Sequence, residues 1–502
     1  MKDENDKQAN RSGKIIGRLK EQKILRDHLT SHRAEFIALY GRRRVGKTYL
    51  VKNLVDSFPC VFFHVTGLQK GSSQEQREEF AKQIGQTFYS GAPLIPRERW
   101  KDTFEDLTQA IAKVPTNKKI VLFFDELPWM DSPRSKLLTA LDLYWNRYWV
   151  FDNRLKLIIC GSATSWIIDN IINNKGGLHN RVTRTVQLMP FTLQETESYL
   201  TEYRINLKHR QILDLYSVLG GVPLYWSFIK KGLSAPQCID ELCFQQNGAL
   251  VKEFGRLFAS LFEDPKPYTD LIRIIAKHRY GIGQAELIAK AKLPDGGHTV
   301  KRLQQLEEAG FITSLVPYGH KDKGVYYLID DEYSLFYLHW IEPNMKTITK
   351  KATNEGFWVL QSQRPSWKTW AGYAFESICY KHIAQISHAL KISPGATIGT
   401  WRFVPRSKND GEGTQIDLLF DRPDGAITIC EIKCSDQPFA IDKAYSQVLT
   451  KKVEVFRKQT RTKKQLFLAM ITTFGLKPTI YSEELVTNEA KLEDFFEERG
   501  FY

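Results

Sequence analysis

Phe36-Ile37-Ala38-Leu39-Tyr40 is an unbroken apolar run that leads into Gly41-Arg42-Arg43-Arg44-Val45-Gly46-Lys47-Thr48, and Tyr49 to Val55 follows at once. The first run reads as a buried strand and the last as a helix. The segment between them fits GxxxxGK followed by Ser or Thr. Its glycines let the backbone wrap an anion with N–H groups pointing inward. Lys47 offers a point charge for β- and γ-phosphate oxygens, and Thr48 a hydroxyl for Mg²⁺. A chance match in a glycine-containing turn is the plain alternative, and the strand and helix flanks argue against it.

Working outward, Val61 to Val65, Ile120 to Phe124 and Leu155 to Cys160 are further apolar runs. Helical stretches lie between them, Glu75 to Tyr89 and Lys101 to Lys113. Strands alternating with helices imply a mostly parallel sheet. The run ending at Phe124 meets Asp125 and Glu126. A carboxylate at a strand tip beside a phosphate loop can hold Mg²⁺, and a second can activate water. Asp125 is assigned to the metal and Glu126 to the base, against an ordinary acidic turn. Ser162, in Gly161-Ser162-Ala163-Thr164, either senses the γ-phosphate or simply makes a turn. Arg181 and Arg184 precede a β-like run, Thr185 to Met189. One of them supplies a cationic finger in its own or a neighbouring subunit, or both are solvated helix-end arginines.

The chain has 502 residues, a length that suggests roughly three to four domains. Hydrophobic residues are 42% and charged residues 25%, the proportions of a core-forming soluble protein. Lys and Arg number 71 against 57 Asp and Glu, and the net +14 points to a polyanionic partner. No apolar stretch approaches the roughly 20 residues that span a bilayer, and the polar start up to Lys14 is no secretory signal. Seven scattered Cys, none in CxxC spacing, fit neither a disulfide framework nor a zinc ribbon. The expectation is a reduced, cytoplasmic protein without a membrane.

Gly17-Arg18 with Glu21, the GRRRVGKT loop, the Phe123-Phe124-Asp125-Glu126 strand end, Gly161-Ser162-Ala163-Thr164 and Gly220-Gly221-Val222-Pro223 together resemble the archaeal-type ATPases of the STAND/AAA+-like P-loop class. The resemblance runs from Ile15 to the mid-460s. It implies ATP and Mg²⁺ as cofactors and an adenine pocket near Ile16, Gly17 and Arg18. It also implies a helical lid whose Pro223 segment approaches the nucleotide, and it makes Arg181 the finger. Here Asn180 stands where that class has glycine.

Downstream, Tyr268 to His278, Gly283 to Ala291 and Gly297 to Ala309 read as three helices, followed by β-like runs at Phe311 to Val316 and Val325 to Ile329. That order describes a winged helix. Asp417 and Glu431 lie on two runs joined by Asp421-Arg422-Pro423-Asp424-Gly425, a strong turn. A hairpin there sets the two acids together, where they can hold Mg²⁺ against a phosphodiester, with Lys433 on the same face. Glu376 in the preceding helix completes a set that resembles the PD-(D/E)XK nucleases, with Gln447 as a weaker addition. Two readings stand, a metal-dependent nuclease and a nuclease fold kept for binding or oligomerisation.

DNA is the second expected partner, reached through His298, Lys301, Arg302 and Gln305 of the winged unit and through the bases between Lys443 and Lys464. Each group is also readable as a solvated face. A homo-oligomer is compatible with Arg181 acting in trans. The expected fold is therefore α/β: a P-loop NTPase parallel sheet with helical lid, winged helix and a C-terminal restriction-endonuclease-like domain. The expected boundaries are 1–14 flexible, 15–191 ATPase core, 192–263 lid, 264–345 winged helix, 346–366 linker, 367–480 nuclease-like domain and 481–502 acidic tail.

Overall fold

The structure is a computed structural model and describes residues 13–173, 176–178, 180–293, 297–319, 324–350, 355–405 and 413–497. The chain forms two compact units, Met1–Pro190 and Phe191–Tyr502.

The first unit is built on five strands: β1 (Glu35–Tyr40), β2 (Cys60–Thr66), β3 (Lys119–Asp125), β4 (Leu155–Gly161) and β5 (Arg184–Gln187). They pair in the order β2-β3-β4-β1-β5, all parallel. Helices Lys47–Val55, Ser73–Phe88, Trp100–Ala112 and Leu137–Arg147 make the crossovers. Side chains alternate faces along a strand. Phe36 and Ala38 therefore enter one core with Ile120, Leu122 and Phe124. Ile37 and Leu39 enter the opposite one with Val121 and Phe123. Burial on both faces explains why these strands read as continuous apolar runs. Tyr40 pairs with Gly161, so the phosphate-type loop, Asp125 and Ser162 emerge side by side at the C-terminal edge of the sheet.

The second unit opens with helices such as Leu193–Glu202, His209–Leu219 and Glu253–Leu261. Three helices follow, Lys266–Ile275, Gln284–Ala291 and Gly297–Glu308. They accompany β6 (Ile282–Gly283), β7 (Ile312–Leu315) and β8 (Tyr326–Ile329) in an antiparallel sheet of order β6-β8-β7. The helix Pro365–Lys381 then precedes β9 (Thr397–Phe403), β10 (Thr414–Asp421), β11 (Ala426–Lys433), β12 (Phe439–Ala440), helix Lys443–Thr460, β13 (Gln465–Thr472), β14 (Leu476–Lys477) and β15 (Asn488–Lys491). The main sheet runs β15-β13-β11-β10-β9. Its β9, β10 and β11 are antiparallel, while β13 and β15 join β11 in parallel. β12 and β14 pair separately.

Two expected boundaries are corrected. The 346–366 linker holds the helices Met345–Thr349 and Phe357–Gln361, and Trp358 is fully buried against Phe244, Phe336 and Trp340. Of the expected 481–502 tail, the described residues up to 497 join the fold: β15 pairs with β13, and Leu492, Phe495 and Phe496 enter the core, while 498–502 lie outside the described residues. The acidic count there masked the apolar residues, which decide burial.

Candidate functional site

Gly41 leaves β1 at φ 143°, and a Cβ there would run into the Leu188 carbonyl, so glycine is sterically required. The chain then turns through Arg42 to Gly46 and enters the helix Lys47–Val55. The Lys47 side chain is buried, and its Nζ donates to the carbonyls of Gly41 (2.9 Å) and Arg42 (3.0 Å). The ammonium is thus held over the concave face of its own loop. Arg42 and Val45 are buried, Arg44 takes the left-handed region at φ 72°, and the Arg43 guanidinium lies 5.5 Å from the Trp129 ring. Arg18 is buried too, and its Nη2 donates to the Val45 carbonyl at 3.4 Å. Gln22 Nε2 donates to the Gly17 carbonyl at 2.6 Å, and Ile16 is half-buried. Gly17 and Arg18 therefore brace the loop from the N-terminal side.

Thr48 Oγ1 donates to Asp125 Oδ2 at 2.8 Å, linking the loop to the tip of β3. Burial alone would raise the Asp125 carboxyl, but the His64 ring, the Thr48 hydroxyl and the Cys160 thiol beside it hold it below the usual carboxylate range. His64 sits on β2 with Nε2 3.7 Å from Asp125 Oδ2, stacked on Phe62 and Phe123. Its place beside Asp125 follows from strand register, which no local motif carries. Asp125 Oδ1 is buried with no hydrogen-bond partner among the described residues. A buried carboxylate oxygen left unsatisfied next to a hydroxyl and a phosphate-type loop suits a hard divalent cation. Thr48 and Asp125 thus fit Mg²⁺.

Glu126 adopts φ 50°, a left-handed conformation that costs a non-glycine residue about 1 kcal/mol. Its Oε2 accepts from both the N–H and the Oγ of Ser162, each at 2.9 Å. Ser162 thereby positions the candidate base, a contact that its reading as a phosphate sensor did not anticipate. Arg181 is not part of this constellation. It is exposed, and Thr183 N–H donates to the Phe36 carbonyl at the start of β1. Strands rise about 3.3 Å per residue, so Arg181 lies roughly 16 Å or more from the loop, at the opposite sheet edge. Arg184, paired with Ile37, is likewise remote. Neither arginine stands beside the loop in this arrangement.

Residues 16–227 match the model of an ATPase domain found predominantly in Archaea. This stretch is similar to archaeal-type ATPase domains. Over 423 residues the chain is 22% identical to an uncharacterized protein of Methanocaldococcus jannaschii, covering 84% of this chain and 88% of that one. Among solved structures it resembles the Walker-type ATPase of Pyrococcus abyssi at 18% identity and a TM-score of 0.45, covering 64% of this chain and 96% of that one. It also resembles ORC2 of Aeropyrum pernix at 16% identity and a TM-score of 0.32, covering 67% of this chain and 95% of that one. The match to the ATPase domain ends just past Pro223, which opens the short helix Pro223–Trp226. Gly221 before it has no room for a Cβ against the Phe191 carbonyl, and Trp226 Nε1 donates to the Gly220 carbonyl at 2.7 Å. The double glycine therefore makes a close-packed turn within the second unit.

Beyond the ATPase domain, the β10–β11 register pairs Leu418 with Cys430 and so places Asp417 opposite Glu431. Both are buried. Asp417 Oδ2 accepts from the Ile432 N–H at 3.2 Å. Glu431 Oε1 accepts from Tyr445 Oη (2.7 Å) and pairs with Lys433 Nζ (3.0 Å), while Oε2 takes Lys452 Nζ at 2.6 Å. Burial pushes the Glu431 carboxyl up, but Lys452 and Lys433 outweigh it and hold it low. Burial and the Glu431 charge raise Asp417. Glu376, on the helix Pro365–Lys381, pairs with Arg279 at 2.7 Å, and burial together with Asp417 pushes its carboxyl up to about 7.

In the expected metal set, the acids Glu431 and Glu376 are already engaged by cations. Among the described residues no three Asp, Glu, His or Cys converge to hold a metal ion. Lysines and an arginine engage the acids that a cation would need, and Lys452 and Tyr445 take the place foreseen for Gln447, which is exposed. The basic surfaces are thinner than their sequence implies. Lys452 and Lys464 turn onto Glu431 and Asp421, and Gln305 Oε1 accepts from Tyr268 Oη at 2.6 Å. His298 and Lys301 are exposed and Arg302 half-buried. Among the described residues no helix is long and apolar enough to cross a membrane. None of the seven cysteines forms a disulfide.

Proposed function

We propose that the chain is an ATP-hydrolysing switch whose second unit carries a nuclease-like, nucleic-acid-directed centre. The observation that supports the hydrolytic half best is Glu126 held by Ser162 at the edge of the sheet where Lys47, Thr48 and Asp125 meet. In this reading Lys47 would move its hydrogen bonds from the loop carbonyls to phosphate oxygens, and Thr48 and Asp125 would hold Mg²⁺. Bound Mg²⁺ supplies neutralising charge for the triphosphate. Glu126 takes the proton of the attacking water, and Ser162 keeps its carboxylate aimed. The adenine lies at Ile16, Gly17 and Arg18, and Pro223 belongs to the lid. Arg181 acts on the phosphate of a neighbouring copy, which makes a homo-oligomer the form in which it contributes.

The nuclease-like half rests on Asp417 facing Glu431, with Lys433 on the same strand as Glu431 and Glu376 on the neighbouring helix. The three helices with the β6-β8-β7 sheet are read as the winged helix that brings DNA. A second reading, a non-catalytic binding module, is favoured by the same acids being engaged by Lys452, Lys433 and Arg279. One experiment separates them. ATP hydrolysis and cleavage of linear and circular DNA are measured on one preparation with Mg²⁺ or Mn²⁺. Glu126→Gln should lose hydrolysis and Asp417→Ala should lose cleavage while hydrolysis persists. Cleavage unchanged in Asp417→Ala, or none in the wild type, selects the binding module.

A further inference from the structure

A cavity of about 640 Å³ opens in the second unit beside the Asp417–Glu431 pair. That volume lies in the range of ligand-binding clefts. Its walls come from the segment after Ile275, from the helix Pro365–Lys381, and from β9 and β10. Tyr373, Glu376 and Tyr380 recur at i, i+3 and i+7, one face of that helix, and all three line the cavity. Opposite them stand Arg279 and Tyr280. The Arg279 guanidinium lies 3.4 Å from the Tyr373 ring centre and 4.8 Å from that of Tyr280, while also bonding Glu376. Arg402 on β9 lies 4.9 Å from the Tyr280 ring. It is exposed and carries no ion pair among the described residues.

Two residues that line the cavity reach Asp417. Arg402 is the cross-strand partner of Gln415, which lines the cavity and whose Nε2 donates to Asp417 Oδ1 at 3.5 Å. Tyr380 Oη donates to the Asp417 carbonyl. Ring faces interleaved with guanidinium groups are what an unstacked nucleotide needs. The base lies on an aromatic plane, and the phosphate takes planar, forked donors. A duplex buries its base faces in the stack and cannot use such a cavity, whereas a single strand can.

We propose that this cavity binds a nucleotide of a single-stranded nucleic acid. The base stacks on Tyr280 and Tyr373, and the phosphate draws Arg279 and Arg402. The adjoining backbone then passes Asp417 and Glu431. This rests on the nucleic-acid-directed reading above and names its substrate class. A phosphate on Arg279 also competes with Glu376, so occupancy releases that carboxylate toward the acid pair.

The test is fluorescence anisotropy with fluorescein-labelled dT12 and rU12, a labelled duplex and a labelled AMP, on the full chain in EDTA. Melting temperatures confirm that each variant folds. A single strand should bind more tightly than the duplex, and both Arg402→Glu and Tyr280→Ala should weaken it by roughly 10-fold. Lys443→Glu, on the basic helix and outside the cavity lining, should weaken it less. Equal loss in Lys443→Glu, no loss in Tyr280→Ala, or binding of AMP alone overturns the proposal. EDTA keeps the result independent of cleavage. Strand binding lost in Tyr280→Ala without any cleavage in Mg²⁺ removes the nuclease reading and leaves the cavity assignment. Cleavage that depends on Asp417, with binding indifferent to Arg402 and Tyr280, does the reverse.

Discussion

The two polar centres of this molecule are put together in opposite ways. In the first unit the anion-binding surface is one contiguous loop, and its groups stand ready: Lys47 rests on loop carbonyls, and Asp125 Oδ1 has no partner among the described residues. In the second unit the acids come from separate elements and are already matched with cations, Glu431 by Lys433 and Lys452, Glu376 by Arg279. In the first surface Lys47 meets loop carbonyls and no carboxylate. The second binds a cation only by displacing one of its own side chains. That difference makes the ATPase domain an open site and the C-terminal cluster a closed one.

The sharpest way to break the comparison is at Lys47. Lys47→Ala removes a side chain that bridges the Gly41 and Arg42 carbonyls, together with the charge meant for phosphate. Two charge-assisted bonds of about 1.5 kcal/mol each correspond to a roughly 100-fold loss of ATP affinity. Titration calorimetry with ATP and Mg²⁺ reads it directly, and affinity within threefold of wild type would show that the loop is not the phosphate site.

Lys452 tests the closed half. Lys452→Met takes one charge-assisted bond from buried Glu431, which keeps Lys433 and Tyr445, so it should lose about 2 kcal/mol of stability without metal. If the ammonium stands where a cation belongs, Mn²⁺ should restore much of that loss in the variant and do little to the wild type. Denaturation with and without Mn²⁺ checks this. A variant that Mn²⁺ does not stabilise shows that the acid pair takes no cation, and the contrast between open and closed sites then becomes one between a ligand site and a structural salt bridge.

The same contrast explains what could be read from sequence. Gly41 to Thr48 was legible because the chemistry of a phosphate loop is backbone chemistry at fixed spacing, flanked by strands too apolar to misread. Asp417 and Glu431 were legible because a strong turn dictates their register. Arg279 meets Glu376 across 97 positions and Lys452 meets Glu431 across 21, contacts that no local pattern encodes. His64 reaches Asp125 through strand order alone. Arg181 precedes β5, and in a parallel sheet that order places it at the N-terminal edge, away from the loop. At the C-terminus the charges of Glu483, Glu484 and Glu493 drew the eye, while Ala490, Leu492 and Phe495 decided the fold.

His382 offers the finest probe of how far the second unit depends on such distant partners. It is fully buried, its Nε2 accepts from the Leu193 N–H at 3.1 Å across 189 positions, and its Nδ1 lies 2.8 Å from the Ile378 carbonyl. One neutral tautomer satisfies both bonds and also caps a first-turn amide of the helix Leu193–Glu202. Protonation would set an N–H against an N–H, and burial accordingly lowers the pKa from 6.5 to about 4. The folded-state value is depressed, so the contribution is present in full above pH 6.5 and is lost as pH falls toward 4. By pH 5 this amounts to about 2 kcal/mol relative to neutral pH. His382→Gln can still accept from Leu193 but does not titrate. Denaturant unfolding at pH 7 and pH 5 should show a smaller loss in the variant than in the wild type. Equal losses would mean that the long-range bond is incidental, and that the second unit is held by its apolar core without help from the polar contacts that distinguish it from the first.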